Sequence, residues 1–309
     1  MEKVKCGRPV AVIGSYAVGM TIACGHFPAA GETVPGRNFE MMHGGKGSNQ
    51  AVAAARLGGN VLFAGCVGCD SFGDMCMDLM KEEGITGSYI VRSETGRSTG
   101  VGLIYVNEEG ENEIVIDLAA NEELSAGDID RMVPALKECS LVLMQLEINM
   151  DTVIYTAEKC RELGIPFVLN PAPYRQMPEK LPGLCDYLIP NQTEARLMLG
   201  LDARSEISDE EAASRIWEMG AGCVIMTLGA DGALIVDKTG MTKVDGIRVN
   251  AVDTTGAGDT FCGSFCVALA EGKDTKEAVA LAVKAAGLSV TKYGVIQSIP
   301  YRKEVDSIG

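Results

Sequence analysis

The chain has 309 residues, 47% of them hydrophobic, and a formal net charge of −15. That length suits one large α/β domain with a sizeable core. The acidic balance, with no basic run, argues against nucleic acid or an anionic membrane surface as partner. Apolar runs such as residues 141–146 are far too short to cross a bilayer. The N-terminal segment lacks the long apolar stretch of a secretory signal. Eleven cysteines, odd in number and scattered, fit free buried thiols in a reducing cytoplasm, with Cys139, Cys223 and Cys266 in apolar surroundings. Cys66-x-x-Cys69 has no second such pair and no histidine pair to complete a zinc site. Cys262 and Cys266, one helical turn apart, read as core. The two histidines, His26 and His43, have no supporting motif for a metal site or a Ser-His-Asp triad.

In chain order, residues 10–13 read as a buried strand ending in Gly14-Ser15. Residues 20–42 are rich in Gly and Pro, with short extended pieces. A helix is predicted over 47–57, a strand over 60–65 and a helix over 70–83. Residues 101–106 and 113–117 alternate around Asn107-Glu108-Glu109-Gly110, a hairpin pattern. Strands over 141–146, 166–169, 187–189 and 223–227 then alternate with helices over 152–163, 192–199 and 209–219. That rhythm predicts a mostly parallel sheet covered on both faces. Two antiparallel-looking stretches, 233–236 and 241–244, come next, and two helices finish the chain. The expected fold is α/β, a single domain over 1–309 with three layers, α/β/α, around a central mostly parallel sheet. A small β-sheet from segments 20–42 and 98–118 is expected to form a lid over the active site.

Four segments carry candidate chemistry. Gly44-Gly45-Lys46-Gly47-Ser48-Asn49-Gln50 allows close approach of a ligand to backbone and adds a cation and an amide. It reads equally as a tight turn before a helix. It is not a Walker A loop, because Gly47 follows Lys46 and Met41 stands where the first glycine is required. Asn191 and Glu194 have capping-box spacing, and also suit a carboxylate holding hydrated Mg²⁺ near phosphates. Thr227-Leu228-Gly229-Ala230-Asp231-Gly232 joins two strands, either as a plain turn or as a nucleotide contact at a strand end. The fourth runs from Val252 to Phe261 and holds two glycines, two carboxylates and three hydroxyls just ahead of an apolar helical run. A glycine-rich turn opening a helix leaves N–H groups unpaired at the positive end of the helix dipole, a site for phosphate. Asp259 sits inside that site, which points to a base working beside a phosphate. The dinucleotide fingerprint fails there, since Phe261 occupies its third glycine position, so hydride transfer is not expected.

Taken together, these segments resemble the ribokinase family of carbohydrate kinases within the ribokinase/PfkB superfamily. Gly44-Gly45-Lys46-Gly47-x-Asn49-Gln50-Ala51-Val52-Ala53 is similar to the N-terminal signature, and Asp253 through Phe261 to the C-terminal one. Met144-Gln145-Leu146-Glu147, Asn170-Pro171-Ala172-Pro173 and Asn191-Gln192-Thr193-Glu194 resemble ribokinase segments in the same order. The resemblance implies ATP-dependent phosphorylation of a sugar hydroxyl, typically a hydroxymethyl group, with Asp259 as base and the amides of Gly256, Ala257 and Gly258 as anion hole. It implies sugar contacts from Gly45, Lys46, Asn49 and Glu147, and action of Asn191 and Glu194 on Mg²⁺ and phosphates. By the same analogy Thr227, Gly229 and Gly232 line the ATP site, and Asp253, Thr255, Gly294 and Ser298 surround an activating K⁺. A homodimer through the lid is also implied.

One segment departs from the pattern. Ribokinases carry G-S-x-N-x-D at the end of the first strand, whose Asn and Asp hold sugar hydroxyls. Here the segment is Gly14-Ser15-Tyr16-Ala17-Val18-Gly19, so Ala17 and Gly19 replace both. Loss of charge-assisted bonds, about 1.5–3 kcal/mol each, should weaken ribose greatly. A substrate bulkier than ribose, or polar in a different pattern, is expected: a modified sugar, another ketose or aldose, or a nucleoside. The competing class is a non-catalytic nucleotide- or sugar-binding regulator on the same fold. Only the Ala17 and Gly19 replacements favour it; Asp259, the Gly256–Gly258 turn and Glu194 favour the kinase.

Overall fold

The computed structural model describes residues 7–308. In chain order the elements are β1 (Val10–Ile13), β2 (Ala17–Cys24), β3 (Gly36–Gly44), α1 (Lys46–Arg56), β4 (Val61–Val67), α2 (Ser71–Glu82), β5 (Thr86–Arg92), β6 (Gly100–Val106) and β7 (Asn112–Asp117). Then follow α3 (Ala126–Leu136), β8 (Leu141–Met144), α4 (Met150–Leu163), β9 (Phe167–Leu169), β10 (Tyr187–Leu188), α5 (Gln192–Met198), α6 (Asp209–Trp217), β11 (Cys223–Thr227), β12 (Ala233–Asp237) and β13 (Gly240–Val244). Three helices close the chain: α7 (Ala257–Ala270), α8 (Thr275–Ser289) and α9 (Arg302–Asp306).

Nine strands form the central sheet in the order β13-β12-β11-β10-β9-β8-β1-β4-β5. All neighbours from β11 to β5 pair parallel; β12 and β13 pair antiparallel. The inner strands are short, wholly apolar runs (Val-Ala-Val-Ile in β1, Leu-Val-Leu-Met in β8), buried along their length. That is what a strand covered by helices on both faces requires. The chain leaves β1 toward β4 on one side and later returns to β8 on the other. The switch in direction opens a crevice beyond the C-terminal ends of β1 and β8, where α/β sheets bind ligands.

A second, smaller sheet, β3-β2-β6-β7, stands apart from the central one and is built largely from the segments expected to form a lid. It starts earlier than the sequence reading placed it, because β2 leaves β1 after only three residues and begins at Ala17. The hairpin of β6 and β7 is present as read. Three elements have no counterpart in the sequence reading: β5, α3 and α9. β5 is an edge strand with few apolar residues, and α3 carries Pro134 inside its span, although Ser125 and Asp128 give it a capping box.

Helix α7 is buried almost throughout and lies against α1. Gly263 makes that approach possible, since a Cβ there would fall 2.7 Å from Ala53 Cβ and 2.8 Å from Ala54 N. Replacing Gly263 with Ala is expected to push the two helices apart. Overpacking of this kind costs about 1–3 kcal/mol, and denaturant unfolding of the variant measures it; an unchanged midpoint would show that the contact relaxes freely. Arg56, at the end of α1, ties the C-terminal loop to the body. Its Nη1 donates to the carbonyls of Ile296 (2.6 Å) and Ile299 (3.0 Å), while its Nε donates to Glu83 (3.1 Å).

The ten described cysteines are free, and all but Cys69 are buried. Burial pushes the Cys66 thiol up to about 12, so Cys66 is not an activated thiolate. No described helix is long and apolar enough to cross a membrane.

Candidate active site

The first wall of the site forms where β1 ends against the start of α1. Gly47 sits so close to this turn that a Cβ would lie 2.5 Å from Ser15 N. Gly45, the N-cap, has φ 93° and provides no side-chain cap. The cap comes from elsewhere. Glu147, just beyond β8, accepts the Lys46 N–H (2.8 Å) and the Ser15 hydroxyl (2.5 Å), both on Oε2. A carboxylate at a helix N-terminus is favoured by the dipole. Its other oxygen receives no hydrogen bond from the described residues.

The second wall is the start of α7. Gly256 takes φ 76° as N-cap, and a Cβ on it would lie 2.6 Å from Val295 Cγ1. The Ala257 N–H makes a long bond to the Thr254 carbonyl (3.3 Å). The N–H groups of Gly256 and Gly258 find no acceptor among the described residues, which leaves donors for an anion. Asp259, one residue further on, is buried, with 5% exposure.

Both oxygens of Asp259 are held. Asn49 Nδ2 donates to Oδ2 (2.9 Å) and Gln50 Nε2 to Oδ1 (2.9 Å). Gln50 is fixed in turn, donating to Asn170 Oδ1 (3.1 Å) and accepting from Gln145 Nε2 (2.6 Å). Asn170 donates to the Ile189 carbonyl (2.8 Å). A chain of amides thus locks the carboxylate to the ends of β8, β9 and β10. Asn49 spends its amide group on Asp259, which leaves Oδ1 buried and without a partner. A buried acceptor of that kind calls for a donor from a ligand or water.

Lys46 supplies the positive charge. Its pKa is pushed up chiefly by Asp259, against burial, with Glu147 and Glu194 adding to the effect. Glu194 is raised above the ordinary glutamate range, first by burial and further by the Asp259 charge, while the Asn191 N–H and Lys46 pull the other way. Three carboxylates around one ammonium, beside free amides at a helix start, can accept a proton from a hydroxyl while an anion is held next to it.

Comparisons with known proteins decide the family. The profile described as "pfkB family carbohydrate kinase" matches residues 8–302. The chain belongs to the pfkB family of carbohydrate kinases. It is 38% identical to a ribokinase of Haemophilus influenzae over 297 residues, covering 96% of this chain and 97% of the relative. It is also 38% identical to a deoxyribokinase of Salmonella typhi over 292 residues, covering 94% and 95%. Among solved structures, Arabidopsis thaliana ribokinase complexed with ribose and ATP superposes with a TM-score of 0.89 at 29% identity, covering 97% of this chain and 98% of that one. This pfkB kinase is therefore an ATP-dependent carbohydrate kinase, with a sugar and ATP as its substrate classes.

The kinase brings most of the expected residues together. Asp259, Asn49, Lys46, Glu147 and Glu194 share one charged cluster. Gly45 lies beside them and packs its α-carbon against the Tyr16–Ala17 backbone. Asn191 and Glu194 make the full capping box, with Glu194 N to Asn191 Oδ1 at 2.8 Å and Asn191 N to Glu194 Oε2 at 2.9 Å. The other Glu194 oxygen is not used by it. Thr227 adjoins Asn191 through a bridge and donates its N–H to the Pro190 carbonyl (2.9 Å). Gly229 has open space in front of it, whereas Gly232 presses on the chain leaving β13, where a Cβ would lie 2.5 Å from Gly246 N. Asp253 accepts from Thr255 N (2.9 Å), Thr255 Oγ1 (2.7 Å) and Gly294 N (3.1 Å). Burial pushes its carboxyl up, but these bonds outweigh it and hold it below the ordinary range. Ser298 lies in the same turn as Gly294 and donates to the Val295 carbonyl (2.8 Å); no hydrogen bond joins it to Asp253.

Four residues of the network carry no role in the sequence reading: Ser15, Gln50, Gln145 and Asn170. Each lies inside one of the sequence motifs of the site or of the segment after β1. A signal was present for one of them, since Gln145 interrupts an otherwise apolar run, where a buried amide needs a specific partner.

Proposed function

We propose that this kinase transfers the γ-phosphoryl group of ATP to a hydroxymethyl oxygen of a sugar, with Asp259 as general base. The observation that carries this reading is the Asp259 carboxylate, buried at the start of α7, clamped by Asn49 and Gln50 and flanked by the free N–H groups of Gly256 and Gly258. The hydroxyl proton passes to Asp259 as its oxygen bonds to the γ-phosphorus, and the bond to the β-phosphate oxygen breaks, releasing ADP. Gly256 and Gly258 take the charge on the transferring group, and Ala257 joins them by giving up its long bond to Thr254. Lys46, Asn49, Glu147 and the Gly45 turn hold the sugar; the orphan Asn49 Oδ1 and the free Glu147 oxygen accept its hydroxyls. Phosphoryl transfer asks mainly for this kind of positioning and charge stabilisation.

ATP lies along Thr227, Gly229 and Gly232, toward Asn191. The uncommitted oxygen of Glu194 suits Mg²⁺ held through water, since that ion keeps most of its waters and leans on phosphates. When bound, the ion neutralises phosphate charge. Oxygens of Asp253, Thr255 and Ser298, with carbonyls of the Gly294 turn, form a hard donor set suited to K⁺. The regulator alternative loses ground because the carboxylate, the donors and the cation all occur at one point. The lid face opposite Gly19 and Gly102 exposes Met41, Leu103 and Val115, apolar surface of the kind buried between subunits, so the lid is the proposed face of a homodimer. The nucleoside reading remains a variant of the same chemistry, with the sugar carrying a base.

The direct test is transfer of labelled γ-phosphate to a panel of pentoses, hexoses and nucleosides, with the product identified by NMR. The expected product is a sugar monophosphate at the hydroxymethyl group, in one-to-one yield with ADP. ADP formed without phosphorylated sugar would overturn the reading.

A further inference from the structure

The face of the lid turned to the crevice has an unusual floor. Its side is fixed by Met42, whose Sδ lies 3.8 Å from the position of a Cβ on Gly294, the glycine bonded to Asp253. Residues on that face follow from register. Ala17 pairs with Gly44, and Gly19 pairs with Met42 on one side and Gly102 on the other. Gly102 in turn pairs with Ile116. A Cβ added to Gly19 would meet nothing nearer than Ile104 Cδ1 and the Met42 carbonyl, both at 3.8 Å. One added to Gly102 would meet only Ile116 Cγ2, at 3.8 Å. The two inner rows therefore hold a hollow floored by Ala17, Gly19, Gly44 and Gly102 and walled by Met42, Ile104 and Ile116. No side chain of those rows can form a hydrogen bond, and Asn121, which lies in front of Gly100 in the row of Ala17, donates its amide group to the Tyr16 and Leu118 carbonyls; within the lid strands polar groups return in the outer row, at Thr21 and Glu40.

Across the crevice the opposite holds. The free Glu147 oxygen, the orphan Asn49 Oδ1 and Lys46 all seek polar partners. A ligand lying between the two walls meets hydrogen-bonding groups on one edge and an open apolar surface on the other. Hydroxyls pressed against that surface would lose water without gaining partners. Missing hydroxyls alone would not use the space, because unfilled apolar volume forfeits contacts.

The geometry points to a substrate-specificity subsite on the lid that takes an apolar substituent carried by the sugar. Resting on the kinase reading above, the substrate class is a sugar whose secondary-hydroxyl edge, facing the lid, is masked by an apolar group. Gly19 and Gly102 are the residues that admit it.

The test compares D-ribose, 2-deoxy-D-ribose and 2,3-O-isopropylidene-D-ribose, which differ in having, lacking and masking hydroxyls. Binding is read by thermal shift on the Asp259→Asn variant and turnover on the unaltered enzyme. The isopropylidene sugar should bind at least about tenfold more tightly than ribose, the scale of one apolar group in a pocket. In Ala17→Asn/Gly19→Asp that order should reverse. Tighter binding of ribose to the unaltered lid, equal binding of 2-deoxyribose and the masked sugar, or an order unmoved by the double substitution would each overturn the subsite. Binding in the expected order without phosphoryl transfer would instead count against the kinase reading alone.

Discussion

Replacing Asp259 with Asn is expected to lower kcat by about 10²–10⁴-fold, the contribution of a positioned base, while the protein stays folded. The substitution keeps shape and burial but removes the acceptor of the hydroxyl proton. It also places an amide opposite two donors, Asn49 Nδ2 and Gln50 Nε2, each 2.9 Å from the present carboxylate. One of those bonds is then lost, which costs about 1–3 kcal/mol; removal of a buried charge offsets part of that. The circular dichroism spectrum and unfolding transition should therefore resemble those of the unaltered enzyme, with a modest shift, while steady-state ADP release collapses. Near-normal kcat would remove Asp259 from the mechanism.

The second large effect is expected from Lys46→Met. Lys46 is the cation that faces Asp259, Glu147 and Glu194 together. Without it the bound sugar and the Asp259 carboxylate lose their electrostatic partner, and kcat/KM should fall about 10²–10³-fold, the scale of one lost charged contact in a reaction centre. The pH profile separates this role from simple packing. Glu194 already binds its proton more tightly than an ordinary glutamate, and Lys46 is one of the influences that lower its pKa. Loss of Lys46 raises Glu194 further. If ionised Glu194 is needed for nucleotide binding, the acid limb of kcat/KM lies above the ordinary glutamate range in the unaltered enzyme and moves to still higher pH in the variant. A profile that keeps its shape and merely drops in height would mean that Lys46 acts through packing alone. The linked stability has the same sign. A carboxyl whose folded-state pKa is raised makes the folded protein less stable once ionised, so Lys46→Met should be most destabilised at neutral pH and recover as the pH falls through the Glu194 pKa.

Much of this architecture was legible in the chain. Wholly apolar four-residue runs such as β1 and β8, alternating with capped helices, have one good solution, a parallel sheet covered on both faces. The glycine turn at 256–258 is equally readable, because its chemistry is local. What stayed hidden depends on distance along the chain. Gln50 meets Asp259 across 209 residues, and nothing near Gln50 in sequence points to that partner. Glu147 as the cap of α1 is a similar case, since the helix start offers no cap of its own and the acceptor lies 101 residues away. Gly263 reads in sequence as a weak point of an apolar helix, yet it is the position that lets α7 reach α1 and brings Asn49 and Gln50 to the carboxylate. β5 escaped because a half-exposed edge strand lacks a strong apolar pattern. The empty floor of the lid is visible as Ala17 and Gly19 in sequence, but its extent needed the register that sets Gly19 beside Gly102.

A rapid-quench measurement of one turnover shows whether Asp259 takes part in the chemical step. The unaltered enzyme and Asp259→Asn are each saturated with ATP, Mg²⁺ and the best sugar of the panel, and sugar phosphate is followed in time. Nucleotide binding should be retained while the chemical step slows by at least about 10²-fold. Transfer at comparable rates in the two proteins would contradict it.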